Sequence, residues 1–115
     1  MAGNPRLPVA IREVIEDDTN LVLISAVSAM EITTKYRLGK LPEAALLAMD
    51  FQSMIESRGF DGLALTLRHG EYAGRLPFAH KDPFDRLLIA QAILDGLTLV
   101  SNEQVFDETG VSRLW

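Results

Sequence analysis

Cysteine is absent from the 115 residues, and histidine occurs only twice. Without thiols the chain forms no disulfide and no thiolate-bound metal site. No serine lies in a Gly-x-Ser-x-Gly turn, so the sequence gives no support to a serine nucleophile of the Ser–His–Asp type. It also has no glycine-rich phosphate loop, so nucleotide binding of the P-loop or Rossmann kind is not supported. Carboxylates are the remaining candidates for chemistry.

Long apolar runs are missing as well. No run approaches the roughly 20 residues that a helix needs to cross a bilayer, and we expect no membrane association. The first eight residues, MAGNPRLP, have neither the basic region nor the apolar region of a signal peptide. Together with the missing cysteines, this predicts a cytoplasmic protein.

A surplus of positive charge is the third absence. The net charge is −5, which argues against a broad basic surface for nucleic acid. It does not argue against a local site, because an acidic cluster that binds a cation would itself lower the net charge. The length of 115 residues with 48% hydrophobic and 23% charged residues is that of one globular domain, spanning 1–115.

Short apolar runs alternate with helical segments along the chain. The patterns predict strands at 21–24, 63–65, 97–100 and 111–115. They predict helices at 8–16, from about 25–28 to 38, at 42–58, at 66–75 and at 82–95, with methionines 30, 49 and 54 in the core. This alternation indicates an α/β architecture with a mainly parallel sheet. In such sheets, ligands bind at the carboxyl ends of the strands.

Acidic residues from three segments are expected at that edge of the sheet. The stretch 80–92, HKDPFDRLLIAQA, places Asp82 and Asp85 at the start of an apolar helix. Glu103 follows the third strand by three residues. Glu31 lies about one helical turn after the first strand. The topology therefore predicts that these carboxylates converge.

The two aspartates also have structural explanations. Asp82 is a favourable N-cap with Pro83 at the first helical position. Asp85 then falls in the first turn, where the helix dipole favours a negative charge. We assign Asp82 mainly to capping.

The two glutamates can be explained structurally too. Residues 28–31, SAME, fit a capping box that would begin at Ser28. Glu31 can pair with Lys35, four residues further along a helix. Glu103 can be a solvated loop residue. Taken singly, each acid favours a structural role, because isolated motif matches are weak.

Taken together, Glu31, Asp85 and Glu103 favour a divalent metal site. The helix that carries Asp85 is apolar on almost every side, which predicts that it is buried and that its first turn is held firmly. Carboxylate oxygens are the ligands that Mg²⁺ prefers. A cation held in this way lowers the pKa of a bound water and orients it for attack on phosphorus.

Several segments resemble the PIN-domain family, and specifically the VapC-like toxin ribonucleases of bacterial toxin–antitoxin pairs. The matching segments are 24–32 (ISAVSAMEI), 37–41 (RLGKL), 76–92 (LPFAHKDPFDRLLIAQA), 99–103 (LVSNE) and 110–115 (GVSRLW). They cover nearly the whole chain in order. The resemblance implies a PIN-like three-layer α/β/α fold with a mainly parallel sheet.

The family uses four acidic positions to hold Mg²⁺ or Mn²⁺ and to hydrolyse RNA. By resemblance the second is Glu31, the third is Asp85 and the fourth is Glu103, where the family more often has aspartate. The first acid lies on an opening strand that has no counterpart here, so we expect the family's first strand and first helix to be missing. A misassigned start, a true truncation with little activity and a strand swapped from another chain all remain open.

The leading hypothesis is a Mg²⁺-dependent endoribonuclease toxin, impaired by loss of the first acid. The resemblance also implies an RNA substrate, a cognate antitoxin protein and a homodimer. Arg75, Lys81 and Arg86 are the nearest cations for RNA phosphates, although each is more simply a solvated charge. The alternative is a non-catalytic PIN-like remnant that binds an antitoxin or associates with itself. A weaker third hypothesis is another metal-dependent phosphoesterase.

Overall fold

The computed structural model describes residues 9–77, 82–101 and 103–114. In chain order its elements are α1 (Val9–Glu16), β1 (Leu23–Ser25), α2 (Ala26–Arg37), a 3₁₀ turn (Pro42–Ala44), α3 (Ala45–Met49), α4 (Phe51–Ser57), β2 (Asp61–Leu63), α5 (Leu67–Arg75), α6 (Pro83–Asp95), β3 (Leu99–Val100), a 3₁₀ helix (Gln104–Thr109) and β4 (Arg113–Leu114). The chain divides into two compact units. The central unit is Leu21–Leu65, and the terminal unit contains the described residues before and after it.

In the central unit, α2 begins as soon as β1 ends. The backbone of Ser25 is extended, with φ −69° and ψ 143°, and its Oγ accepts a hydrogen bond from the Val27 N–H at 3.0 Å. Ser25 is therefore the N-cap of α2. The capping box expected at Ser28 is wrong, because Ser28 already lies inside the helix.

The parallel pairing of β1 with β2 fixes where the second strand lies. Leu23 pairs with Asp61 and Ser25 pairs with Leu63. The second strand is thus Asp61–Leu63, two residues earlier than the sequence indicated. The apolar pattern located a strand there, and the hydrogen-bonding partner set its register.

The helix predicted over 42–58 is interrupted. Asp50 has φ −152° and ψ 83°, which is outside the helical region, and it separates α3 from α4. Its carboxylate accepts hydrogen bonds from the Ser53 N–H at 3.2 Å and from the Ser53 hydroxyl at 2.8 Å. Asp50 is thus the N-cap of α4 and restarts the helix. Met30 and Met49, which were expected in the core, are 57% and 81% exposed.

The terminal unit contains a cluster of buried apolar side chains beneath α6. Leu76, Ile89 and Phe106 form its centre, and four partly buried residues pack against it: Tyr72, Ile93, Leu99 and Val111. The strands β3 and β4 pair in parallel, Leu99 with Arg113 and Val100 with Leu114. Helix α5 packs against α6. This arrangement holds α6 and the end of β3, which carry two of the predicted acids, in one body.

Helix α6 has the limits that the sequence predicts. Asp82 is its N-cap and accepts hydrogen bonds from the N–H groups of Phe84 at 2.9 Å and Asp85 at 3.4 Å. Gly96 ends it with φ +65°, a conformation that costs glycine little. The capping role assigned to Asp82 is confirmed.

Within the described residues, no helix is both long enough and apolar enough to cross a bilayer.

Candidate functional site

Asp85 lies in the first turn of α6, and the side chain of the next residue, Arg86, anchors that turn. The Arg86 Nε donates to the carbonyl oxygen of Ala73 at 3.0 Å, and Nη2 donates to the carbonyl oxygen of Leu76 at 2.7 Å. Both acceptors lie at the C-terminal end of α5, where helical carbonyls have no partner within the helix. The guanidinium therefore ties the end of α5 to the start of α6. Asp85 is half-buried at this junction.

Glu103 lies just beyond β3, at the start of the 3₁₀ helix. Its N–H donates to the Ser101 Oγ at 3.1 Å, and its carbonyl oxygen accepts from the Phe106 N–H at 3.2 Å. Ser101 is buried and continues the strand pairing, since its N–H donates to the Leu114 carbonyl at 3.2 Å. The backbone of Glu103 is thus fixed on both sides, and its side chain is half-buried.

A guanidinium from β4 joins the two flanks of Glu103. Arg113 donates from Nη1 to the Ser101 carbonyl at 3.0 Å, and from Nε and Nη2 to the two carboxylate oxygens of Asp107 at 2.7 and 3.0 Å. These side-chain hydrogen bonds hold the pKa of Asp107 below its ordinary value and raise that of Arg113. Two parallel hydrogen bonds between a guanidinium and a carboxylate are geometrically specific.

Glu31 belongs to the central unit. It lies on α2, and its side chain is 17% exposed. Its Oε2 is 3.4 Å from the Nζ of Lys35, one helical turn further on, which confirms the predicted ion pair. An ion pair of this spacing is compatible with a structural role, and it also balances the negative charge of Glu31.

Comparison with protein families matches residues 3–111 to the PIN domain. The chain belongs to the PIN domain family. The match covers nearly the whole chain and includes Glu31, Asp85 and Glu103. No curated protein matches the chain at a significant level. The mixed helices and short parallel strand pairs are those of an α/β PIN-like fold, as the sequence predicts.

PIN domains are generally metal-dependent nucleases, and the residue types at the three predicted acidic positions of this one are those that a hard cation prefers. Its candidate ligands, Glu31, Asp85 and Glu103, are all carboxylates, as Mg²⁺ and Mn²⁺ prefer. Asp85 and Glu103 belong to the terminal unit and Glu31 to the central unit. Over residues 9–77, 82–101 and 103–114, no three Asp, Glu or His side chains form a group able to hold a metal ion.

A buried histidine of this PIN domain is committed to structure. His69 is 4% exposed, and its Nδ1 accepts from the Thr66 N–H at 3.0 Å. The Thr66 hydroxyl accepts in turn from the His69 N–H at 3.1 Å. On the other side of the ring, Nε2 is 2.9 Å from Oδ2 of Asp95. This role was not predicted, although Thr-x-x-His at a helix start is a variant of the capping box.

The cations proposed for RNA phosphates have different surroundings. Arg86 is not a solvated charge, because two carbonyl groups hold its guanidinium. Arg75 is solvated, with its side chain 78% exposed and paired with Glu71 at 3.5 Å. Lys81 and His80 lie outside the described residues. Of the two cations that the structure describes, Arg75 retains more of the solvent access that a phosphate contact needs.

Proposed function

We propose that this PIN domain is a Mg²⁺- or Mn²⁺-dependent endoribonuclease of the VapC-like toxin type. The observation that carries the proposal is the family match over residues 3–111, which contains Glu31, Asp85 and Glu103 in the order of the family's acids. The anchored backbones at Asp85 and Glu103 support it further, because a metal ligand needs a fixed position.

In this proposal the carboxylates of Glu31, Asp85 and Glu103 are the ligands of the divalent cation. When bound, the ion supplies positive charge for the phosphodiester and lowers the pKa of a coordinated water. Asp82 contributes by capping the helix that carries Asp85. Lys35 balances the charge of Glu31 when no ion is bound.

We propose a single PIN-like domain, because the family match runs from residue 3 to residue 111. A cytoplasmic location accords with an RNA substrate.

The proposed partners are an antitoxin protein and a second copy of the chain. Large apolar side chains on α2 and α3 support this part of the proposal, since Met30 is 57%, Leu46 73% and Met49 81% exposed. Exposed apolar groups of this size favour association when they lie together. The same side chains favour the second candidate function, a PIN-like remnant that binds an antitoxin or itself without catalysis.

Cleavage of RNA by matched variants tests the proposal. Wild-type protein and the variants Asp85→Asn and Asp82→Asn would be incubated with fluorescently labelled RNA in Mg²⁺, in Mn²⁺ and in EDTA. We expect cleavage that requires the metal and that Asp85→Asn lowers by at least about 100-fold, since loss of an outer partner of a metal ligand already costs about 10–100-fold.

The control Asp82→Asn retains a capping oxygen and should keep its activity within about threefold of wild type. Retained cleavage in Asp85→Asn would refute the assignment of that residue. If the wild type cleaves nothing with either metal, the catalytic proposal fails. A stable dimer in light scattering would then favour the second candidate.

A further inference from the structure

We propose that Arg113 is a positioning residue that sets the location of Glu103 and thereby tunes the affinity of the metal site. This inference rests on the proposed function. Arg113 is four residues after the 3₁₀ helix, on β4, and its side chain is only 14% exposed. It touches neither the reacting phosphate nor the ion in this proposal. It acts through the backbone of Glu103.

The guanidinium holds the chain on both sides of Glu103. Ser101, whose carbonyl accepts from Nη1 at 3.0 Å, precedes Glu103 by two residues. Asp107 follows Glu103 by four residues. Its carboxylate accepts from the Arg113 Nε at 2.7 Å and from Nη2 at 3.0 Å. One planar group therefore fixes the distance between the end of β3 and the middle of the 3₁₀ helix.

The segment between these two points is closed by its own hydrogen bonds. The Glu103 N–H donates to the Ser101 Oγ, and the Glu103 carbonyl accepts from Phe106. Phe106 is 3% exposed and belongs to the apolar cluster under α6. Rotation of the Glu103 backbone would thus break bonds at Ser101, at Phe106 or at Arg113.

The contrast in burial indicates which partner is the anchor. The Arg113 side chain is 14% exposed and the Asp107 side chain 52%. An isolated exposed ion pair contributes little to stability, but a guanidinium held by a neighbouring strand and by a carbonyl is a rigid reference point. The strand pairing of Leu99 with Arg113 supplies that rigidity.

Because residue 103 is a glutamate, the position of its carboxylate depends strongly on the position of its backbone. Its side chain has three rotatable bonds, so small rotations of its backbone move the carboxylate over a long lever. A ligand on such a lever keeps its place only if the backbone beneath it is fixed. Loss of the guanidinium should therefore weaken metal binding through Glu103 alone.

A double-mutant cycle on Mn²⁺ affinity tests this coupling. Calorimetric titration with Mn²⁺ would compare wild type, Arg113→Gln, Glu103→Gln and the double variant. We expect Arg113→Gln to weaken Mn²⁺ binding about tenfold, within the range for outer partners of metal ligands. In the Glu103→Gln background the same substitution should change the affinity less than about twofold, because the ligand it positions is gone.

Amide hydrogen exchange gives a readout that does not depend on the metal. Arg113→Gln should speed exchange at the amides of Glu103 and Phe106 while the amides in the middle of α6 exchange at the wild-type rate. Arg113→Lys keeps the charge but not the planar fork, and should behave like Arg113→Gln. The matched control is Arg68→Gln, which removes an exposed arginine from α5 and should leave both readouts unchanged.

Several outcomes would overturn the inference. The inference is refuted if Arg113→Gln leaves the Mn²⁺ affinity unchanged. It is also refuted if Arg113→Gln lowers the Mn²⁺ affinity equally in the wild-type and Glu103→Gln backgrounds. If Arg113→Gln does not fold, Asp107→Ala releases the same fork from its other end and should give the same non-additivity. Wild-type protein that binds no Mn²⁺ refutes the proposed function and this inference together. If the wild type binds Mn²⁺, and Glu103→Gln weakens this binding but Arg113→Gln does not, this inference alone is refuted.

Discussion

The Nε2 atom of His69 lies 2.9 Å from Oδ2 of Asp95, and this contact joins the first turn of α5 to the last residue of α6. The other ring nitrogen accepts from the Thr66 N–H. A single imidazole thereby serves as the capping group of one helix and as a link to the next. Because the ring is 4% exposed, neither bond is readily replaced by water.

Replacing His69 should lower the stability of the terminal unit. His69→Ala leaves the Thr66 N–H without its acceptor and removes a buried ring, and we expect a loss of about 1–3 kcal/mol in the free energy of unfolding. Urea unfolding followed by circular dichroism measures it. Arg75→Ala, at an exposed position of the same helix, is the control and should change the value by at most about 0.5 kcal/mol. Equal midpoints for His69→Ala and wild type would contradict the linking role.

Asp82 should act through its oxygen acceptor and not through its charge. Asp82→Ala removes the hydrogen bonds to Phe84 and Asp85 and should cost about 0.5–2 kcal/mol, the usual value of an N-cap. Asp82→Asn retains an acceptor and should cost much less. Thermal unfolding of the two variants separates these cases. Equal destabilisation by alanine and asparagine would show that the negative charge matters more than the cap.

We expect Arg86 to contribute more to the stability of the fold than to RNA binding. Arg86→Met deprives the carbonyls of Ala73 and Leu76 of their donors, and we expect a loss of about 1–3 kcal/mol. The measurements are chemical unfolding and, separately, RNA affinity. A variant that unfolds like wild type but binds RNA more weakly would restore the phosphate-binding role that the hydrogen bonds argue against.

The ion pair of Asp107 with Arg113 should make stability depend on pH. The pKa of Asp107 is lowered from its ordinary 3.8, chiefly by the hydrogen bond from Arg113. A carboxyl group whose pKa is lowered in the folded state stabilises the fold at pH values above its ordinary pKa. This contribution is lost as the pH falls through the pKa of the folded state. Wild type should therefore be more stable than Asp107→Asn at neutral pH, and the gap should close below about pH 4. Urea midpoints measured across this range test the sign, and a constant gap would contradict it.

Local signals in the sequence predicted the helix termini well where the partner groups are close in the chain. Asp82, Pro83 and Gly96 predicted both ends of α6, because a cap, a fixed φ and a left-handed glycine act over a few residues. Thr66 predicted the start of α5 in the same way. Asp50 carried an equally local signal, an N-cap three residues before Ser53, that we overlooked.

Contacts between distant segments explain the remaining differences. The register of β2 depends on its pairing with β1, in which Leu23 pairs with Asp61, 38 residues further along the chain. No local pattern encodes such a pairing. The choice of Ser25 over Ser28 as the cap of α2 likewise depends on where β1 ends. The link between Arg113 and Ser101 joins two strands, so sequence alone gave no sign of it. The candidate acids could be proposed because their residue types and spacing resemble those of the family.

The central claim is that Glu31, Asp85 and Glu103 are ligands of a divalent cation. Calorimetric titration of wild type and Glu31→Gln with Mn²⁺ tests it most directly, with Glu43→Gln as a control carboxylate on the central unit. We predict one Mn²⁺ site in wild type and in Glu43→Gln, and an affinity at least about tenfold weaker in Glu31→Gln. Equal affinity for wild type and Glu31→Gln, or no binding at millimolar Mn²⁺, would contradict the claim.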